Sequence, residues 1–71
     1  MNLLEKMPLV RLEQHNRAAP GLLIRADAVI AIVETDTKGV SRVALSSGYS
    51  YEVNGTLLDV AEHVFKALQP D

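Results

Sequence analysis

One run, Ser46 to Leu68 (SSGYSYEVNGTLLDVAEHVFKAL), constrains the fold more than any other part of the chain. Thr56 stands where a helix N-cap belongs, because its hydroxyl can accept from a first-turn N–H that the helix leaves without a partner. Asp59, three residues on, completes a capping-box-like pair, and Asn54-Gly55 supplies the sharp change of direction before it. Leu57, Val60, Ala61, Val64, Phe65 and Leu68 then recur at helical spacing as one apolar stripe. Glu62 and Lys66 fall four apart on the wet face, and Pro70 ends the element. Upstream, Ser47-Gly48 reads as a hairpin turn between two alternating runs, Val40 to Ser46 and Tyr49 to Val53. On the return strand Tyr49, Tyr51 and Val53 share a face, which places both tyrosines against the helix.

The preceding residues extend the sheet. Val10 and Leu12 alternate with Arg11 and Glu13, the period-2 pattern of a half-buried strand. Gln14 to Gly21 (QHNRAAPG) is a polar connection ending in Pro-Gly, long for a small domain, and therefore either mobile or functional. Leu22 to Ile24 reads as a short strand. Val29 to Val33 reads as a longer, buried one, since Val29, Ile30, Ile32 and Val33 would lose rotamer freedom in a helix. A helix over Ala26 to Val33 is the rival. Arg25 to Ala28, between the two strands, fits one helical turn or a bulge. Thr35 to Gly39 is a turn in which Gly39 can take a positive φ. Residues 1–7 are expected to be a flexible or weakly helical lead-in. The expected whole is one small α+β domain over residues 1–71: an antiparallel sheet of about four strands, with one C-terminal amphipathic helix on one face.

Seventy-one residues support only a modest core, and the chain has no cysteine with which to staple it. Yet 48% of its residues are hydrophobic and only 4% aromatic, an aliphatic surplus that one helix cannot cover. Self-association or a protein partner is therefore expected at the uncovered sheet face or edge. Seven basic and nine acidic residues are interspersed, for a net charge of −2, which disfavours nucleic acid held by counterion release. The opening MNLLEKMPLV is broken by Glu5, Lys6 and Pro8, so neither a signal peptide nor a membrane span is expected there, and the cytoplasm is the expected location.

No catalytic, cofactor or metal site is expected. His15 and His63 share no motif, and no paired carboxylates, phosphate-cradling glycine loop or nucleophile elbow can be drawn. Gly48 and Gly55 have turn and cap roles, Ser46 and Ser47 sit at a hairpin end, and Asn54-Gly55-Thr56 reads as a helix start rather than a glycosylation acceptor. The candidate partner-binding residues are His15 and Arg17 in the polar loop, with Arg11, Arg25 and Arg42. If Arg11 and Arg42 shared a sheet face, with Arg17 and Lys38 on flanking loops and Tyr49 and Tyr51 for stacking, a modest nucleic-acid-binding patch would form.

Three segments carry a resemblance: Ile24 to Glu34 (IRADAVIAIVE), Val43 to Val53 (VALSSGYSYEV) and Thr56 to Val60 (TLLDV). Together with an initial strand at Leu9 to Leu12, they resemble the small bacterial FlbD/SwrD family of flagellar and swarming-motility proteins. LytTR-type DNA-binding domains share the same strand–turn–strand–helix rhythm. The loop Gln14 to Gly21 is longer than the family's tight turn, and Thr35 to Ser41 replaces its Thr-Pro-Asp-Thr type turn. The resemblance implies a bacterial or bacteriophage cytoplasmic accessory or regulatory protein that works by contact.

Overall fold

The computed structural model describes residues 7–69. Of the expected lead-in over residues 1–7, residues 1–6 lie outside them, as does the stop at Pro70. The described residues form an α+β unit of five antiparallel strands and a final helix. Strands β1 (Leu9–Glu13) and β2 (Gly21–Arg25) make a two-stranded sheet. Strands β3 (Val29–Glu34), β4 (Val40–Leu45) and β5 (Ser50–Asn54) make a three-stranded meander, and the helix α1 spans Leu57–Leu68.

The strands divide between two sheets because the chain between Arg25 and Val29 does not stay extended. A 3-10 turn at Ala26–Ala28 carries it from one sheet to the other. A bulge follows at once, with the β3–β4 register shifting between Val29 and Ala31. The helical turn and the bulge, alternatives in the sequence, occur one after the other. The sheets meet again where Gln14 bridges Val53 and the His15 N–H donates to the Glu52 carbonyl at 2.8 Å. The loop after β1 thereby caps one end of β5.

The core is aliphatic and lies between the inner faces of the two sheets and the helix. Val10 and Leu12 of β1, Ile24 of β2, Ala26, Val43 of β4, Val53 of β5, and Val60 and Val64 of α1 are all buried there. Helix α1 packs across β1, β3 and the 3-10 turn. Its cap forms as its sequence predicts, with the Asp59 N–H donating to Thr56 Oγ1 at 3.2 Å. Gly55 before it has φ 132°, and a Cβ there would lie 3.0 Å from Val60 Cγ2, so the corner is open to glycine alone.

Three expectations change. The apolar stripe of α1 is wider than the part that is covered: Val60 and Val64 are buried, whereas Phe65 is 62% and Leu68 46% exposed. Tyr49 precedes β5, in the turn, and is exposed rather than packed on the helix, while Tyr51 does pack against the core. Strand β3, the longest apolar run among the strands, contains no buried residue; Ile30 is 69% and Val33 50% exposed. It forms the outer edge of its sheet, so it lacks a neighbour on one side.

Candidate functional site

The junction of the two sheets builds the most distinctive surface. The chain leaves β1 at Gln14, whose N–H donates to the Pro20 carbonyl at 2.7 Å and so closes the base of the polar loop. Asn16 takes φ 60°, a left-handed conformation that asparagine tolerates better than most residues, and the chain turns there. The loop is then tied to β5 by the Gln14–Val53 bridge and by the His15 N–H to Glu52 carbonyl bond. His15 Nδ1 also lies 3.1 Å from Asn54 Oδ1, a contact that a proton on Nδ1 satisfies and that turns Nε2 over to other partners. A loop this long in a domain this small is held at its base rather than free.

Between this loop and the end strands lies an open groove of about 540 Å³, lined by Gln14 to Arg17, Arg42 and Ser50 to Glu52. The ladder pattern shows what its floor offers. Leu45 and Tyr49 exchange a main-chain bond, and Val43–Tyr51 and Ser41–Val53 follow in register. Odd-numbered residues of β5 thus turn their N–H and C=O groups toward β4, and Ser50 and Glu52 turn theirs away, into the groove. The bond from His15 N–H to Glu52 carbonyl confirms that direction.

Three of the five candidate residues, His15, Arg17 and Arg42, converge on this groove. Arg42 arrives with its charge matched: its Nη2 donates to Glu52 Oε2 at 3.0 Å, across the β4–β5 pair. Both side chains are about half exposed, so the pair is screened by water and adds little to stability, but it lowers the positive potential of the groove. Arg11 lies on the other sheet from Arg42, and lines a second groove with Glu13, Asn54, Asp59 and His63. Asn54, which contacts His15, stands between the two grooves. His63 is exposed, its Nδ1 2.7 Å from the Asp59 carbonyl one turn earlier in the helix.

Arg25 is not part of this cluster. It ends β2 opposite Leu9, at the far end of the hairpin from the loop. It makes a two-point pair with Asp27, Nη2 to Oδ2 at 2.7 Å and Nε to Oδ1 at 3.0 Å. The hydrogen bonds from Arg25 hold the Asp27 carboxyl below its usual value, against an opposing desolvation and with a smaller contribution from the guanidinium charge. The same hydrogen bonds, and then the charge of Asp27, raise the guanidinium of Arg25 above its usual value.

The arginines thus divide over two sheets and two grooves, and two of the four carry a carboxylate partner. Gln14 and Asn16 reach the groove from the loop that the sequence marks as a whole, whereas Ser50 and Glu52, with Asn54 beside them, were missed. Nothing local marks them, because they meet only through the contact of the loop with β5. Among the described residues no set of three His, Asp or Glu side chains is placed to hold a metal ion, and no helix is long and apolar enough to cross a membrane. No protein-family model, no curated protein and no solved structure matches the chain.

Proposed function

We propose that this chain is a small non-enzymatic accessory or regulatory module, bacterial or phage in origin, which acts in the cytoplasm through contacts with a partner protein and with its own copies. The observation that carries the partner contact is the groove at the sheet junction. The main-chain groups of Ser50 and the N–H of Glu52 face into it, the Glu52 carbonyl being taken by His15, and His15, Arg17 and the Arg42–Glu52 pair line its walls. Such a surface suits an extended polar segment of another protein, which can pair with the main chain of β5 while its side chains meet charges of both signs. The flagellar or swarming setting rests on the resemblance to the FlbD/SwrD family.

A photoreactive amino acid at Arg17 is expected to cross-link one protein in cells that naturally make this chain. The same residue at Leu23, exposed on the first sheet, is expected to capture none. Equal capture at both positions, or none at Arg17, would sink this reading.

The alternative is a nucleic-acid-binding regulator, favoured by the meeting of His15, Arg17, Arg42 and Tyr51 in one groove. It is the weaker reading, because Arg42 and Arg25 are each matched by a carboxylate and counterion release needs several unmatched cations. Mixed DNA or RNA at low salt separates the two. Binding that falls steeply with added salt favours the regulator, and the lack of any binding removes it.

A further inference from the structure

Strand β3 is the most apolar strand of the fold and the least covered. Its sequence, VIAIVE, is the near-continuous hydrophobic run of a strand that is covered on both faces and flanked by neighbours. Its burial pattern is that of an open edge, with Ile30, Ala31, Val33 and Glu34 all exposed. Native edges are usually blunted by lysine, proline or an inward charge, and Val29–Val33 contains none of these.

The direction of the free hydrogen-bonding groups follows from the ladder. The Thr35 N–H donates to the Val40 carbonyl, and Val33–Arg42 and Ala31–Ala44 follow in register. These odd-numbered residues face β4, so Ile32 and Glu34 present their N–H and C=O groups to the open side. The flank of α1 nearest this edge is apolar as well. Asp59 and His63 lie on the side of the helix that faces β1, whereas Leu57 lies beside Glu34 and Thr35. By helical spacing Leu58, Phe65 and Leu68, all exposed, fall on the flank opposite Asp59 and His63, the flank turned away from β1.

We infer that the β3 edge is a dimer interface, in which β3 pairs antiparallel with β3 of a second copy about a two-fold axis at Val33. This gives structural form to the self-association in the proposed function, and rests on that part of it. The occupant is a second copy for three reasons. First, the outward groups of Ile32 meet those of Glu34 in the other strand, and those of Glu34 meet Ile32, making about four main-chain bonds with no group displaced from its own sheet. Second, the axis sets Val33 against Val33, a branched apolar pair at the close, non-hydrogen-bonded spacing. No like charges oppose, and a shift of one residue toward the C-terminus is excluded because it would set Glu34 against Glu34.

The third reason is area. Side chains of roughly 150–200 Å² exposed to the extent of Ile30, Val33, Leu58, Phe65 and Leu68 leave on the order of 500 Å² of apolar surface per copy. With the strand backbone added, that approaches the about 800 Å² per partner of a specific interface. The product is a continuous six-stranded sheet with both helices on one side, their apolar flanks facing across the axis.

Two measurements test this on the full chain. Sedimentation equilibrium is expected to show the mass doubling with concentration. Val33→Lys, an exposed change that sets two ammonium groups face to face, is expected to hold the chain at the single mass. Glu34→Pro should do the same, since the N–H it removes points away from β4. Amide exchange by NMR gives the site: the Ile32 and Glu34 amides should exchange rapidly when dilute and slow as the dimer fraction grows.

A chain that stays monomeric at all concentrations overturns the inference, as does a dimer in which those two amides still exchange rapidly. So does protection of the two amides that appears only when the cross-linked partner is bound, because the edge would then belong to another protein. In each of these cases capture at Arg17 stands or falls separately, so a failed dimer leaves the partner contact intact.

Discussion

Ser41 shows how much one side chain can hold in so small a domain. It is the one buried polar residue among those described, fully enclosed on the inner face of β4, and its hydroxyl donates to the Gly55 carbonyl at 2.9 Å. That bond fastens the middle of the sheet to the corner from which the helix starts. Ser41→Ala leaves the Gly55 carbonyl without its donor and should cost about 1–2 kcal/mol, read from the urea midpoint at unchanged slope. Asp27 is a surface counterpart. Its carboxyl titrates lower in the folded chain than in the unfolded one because Arg25 donates to it. Stability from such a group is present above its unfolded titration range and is lost as pH falls through the folded one. Asp27→Asn should therefore lower the melting temperature slightly at neutral pH. The gap to the parent should close on acidification, and a gap that widened instead would mean that the pair does not act through charge. Added salt should narrow it too, since the pair is exposed.

At the scale of elements, α1 was the most legible. Cap, stripe and direction change are all local, and the structure returns Thr56 as the cap it was read to be. Thr56→Ala should cost about 1 kcal/mol and Thr56→Asp should restore most of it, measured by denaturant unfolding. The strands were legible for the same reason: β-branched residues at Val29 to Val33 favoured strand over its helical rival, which the structure decides for strand, and Ser47-Gly48 marked the hairpin. What periodicity could not give was coverage. A stripe on a helix states which residues share a side, not how wide a surface lies beneath it, so Phe65 and Leu68 belong to the stripe yet stay exposed beside a core that takes in Val60 and Val64. In the same way a continuous apolar run was read as a buried strand, while β3 lies at an edge. The split into two sheets was out of reach as well, because it depends on the meeting of Gln14 with Val53. The candidate site shares that limit: His15, Arg17 and Arg42 were named by residue type, but their joining in one groove, and the exclusion of Arg25, follow from the same junction.

At the scale of the whole molecule, the contacts fall into a local and a distant set. Strands β3 to β5 and helix α1 are joined by short turns, and the Gly55 N–H donates to the Gly39 carbonyl, tying the first of these turns to the helix corner at 2.7 Å. The hairpin of β1 and β2 docks on β5 and the helix through residues far apart in the chain, such as His15 and Asn54, 39 positions apart. Loop closure over that span is costly until the meander offers a surface to close upon. Val43→Ala, at the centre of the meander, should therefore slow refolding, whereas Leu12→Ala should chiefly speed unfolding. Equal slowing of refolding by both in a chevron measurement would contradict this order. The junction at Gln14 and His15 is then the last part of the native state to close and the first to open. A cell synthesises the chain in the opposite sense, since the first hairpin leaves the ribosome before the strand it docks against exists. During that interval Val10, Leu12 and Ile24 have no cover of their own, and the time spent waiting for β5 sets how long the nascent chain is open to chaperones and proteases.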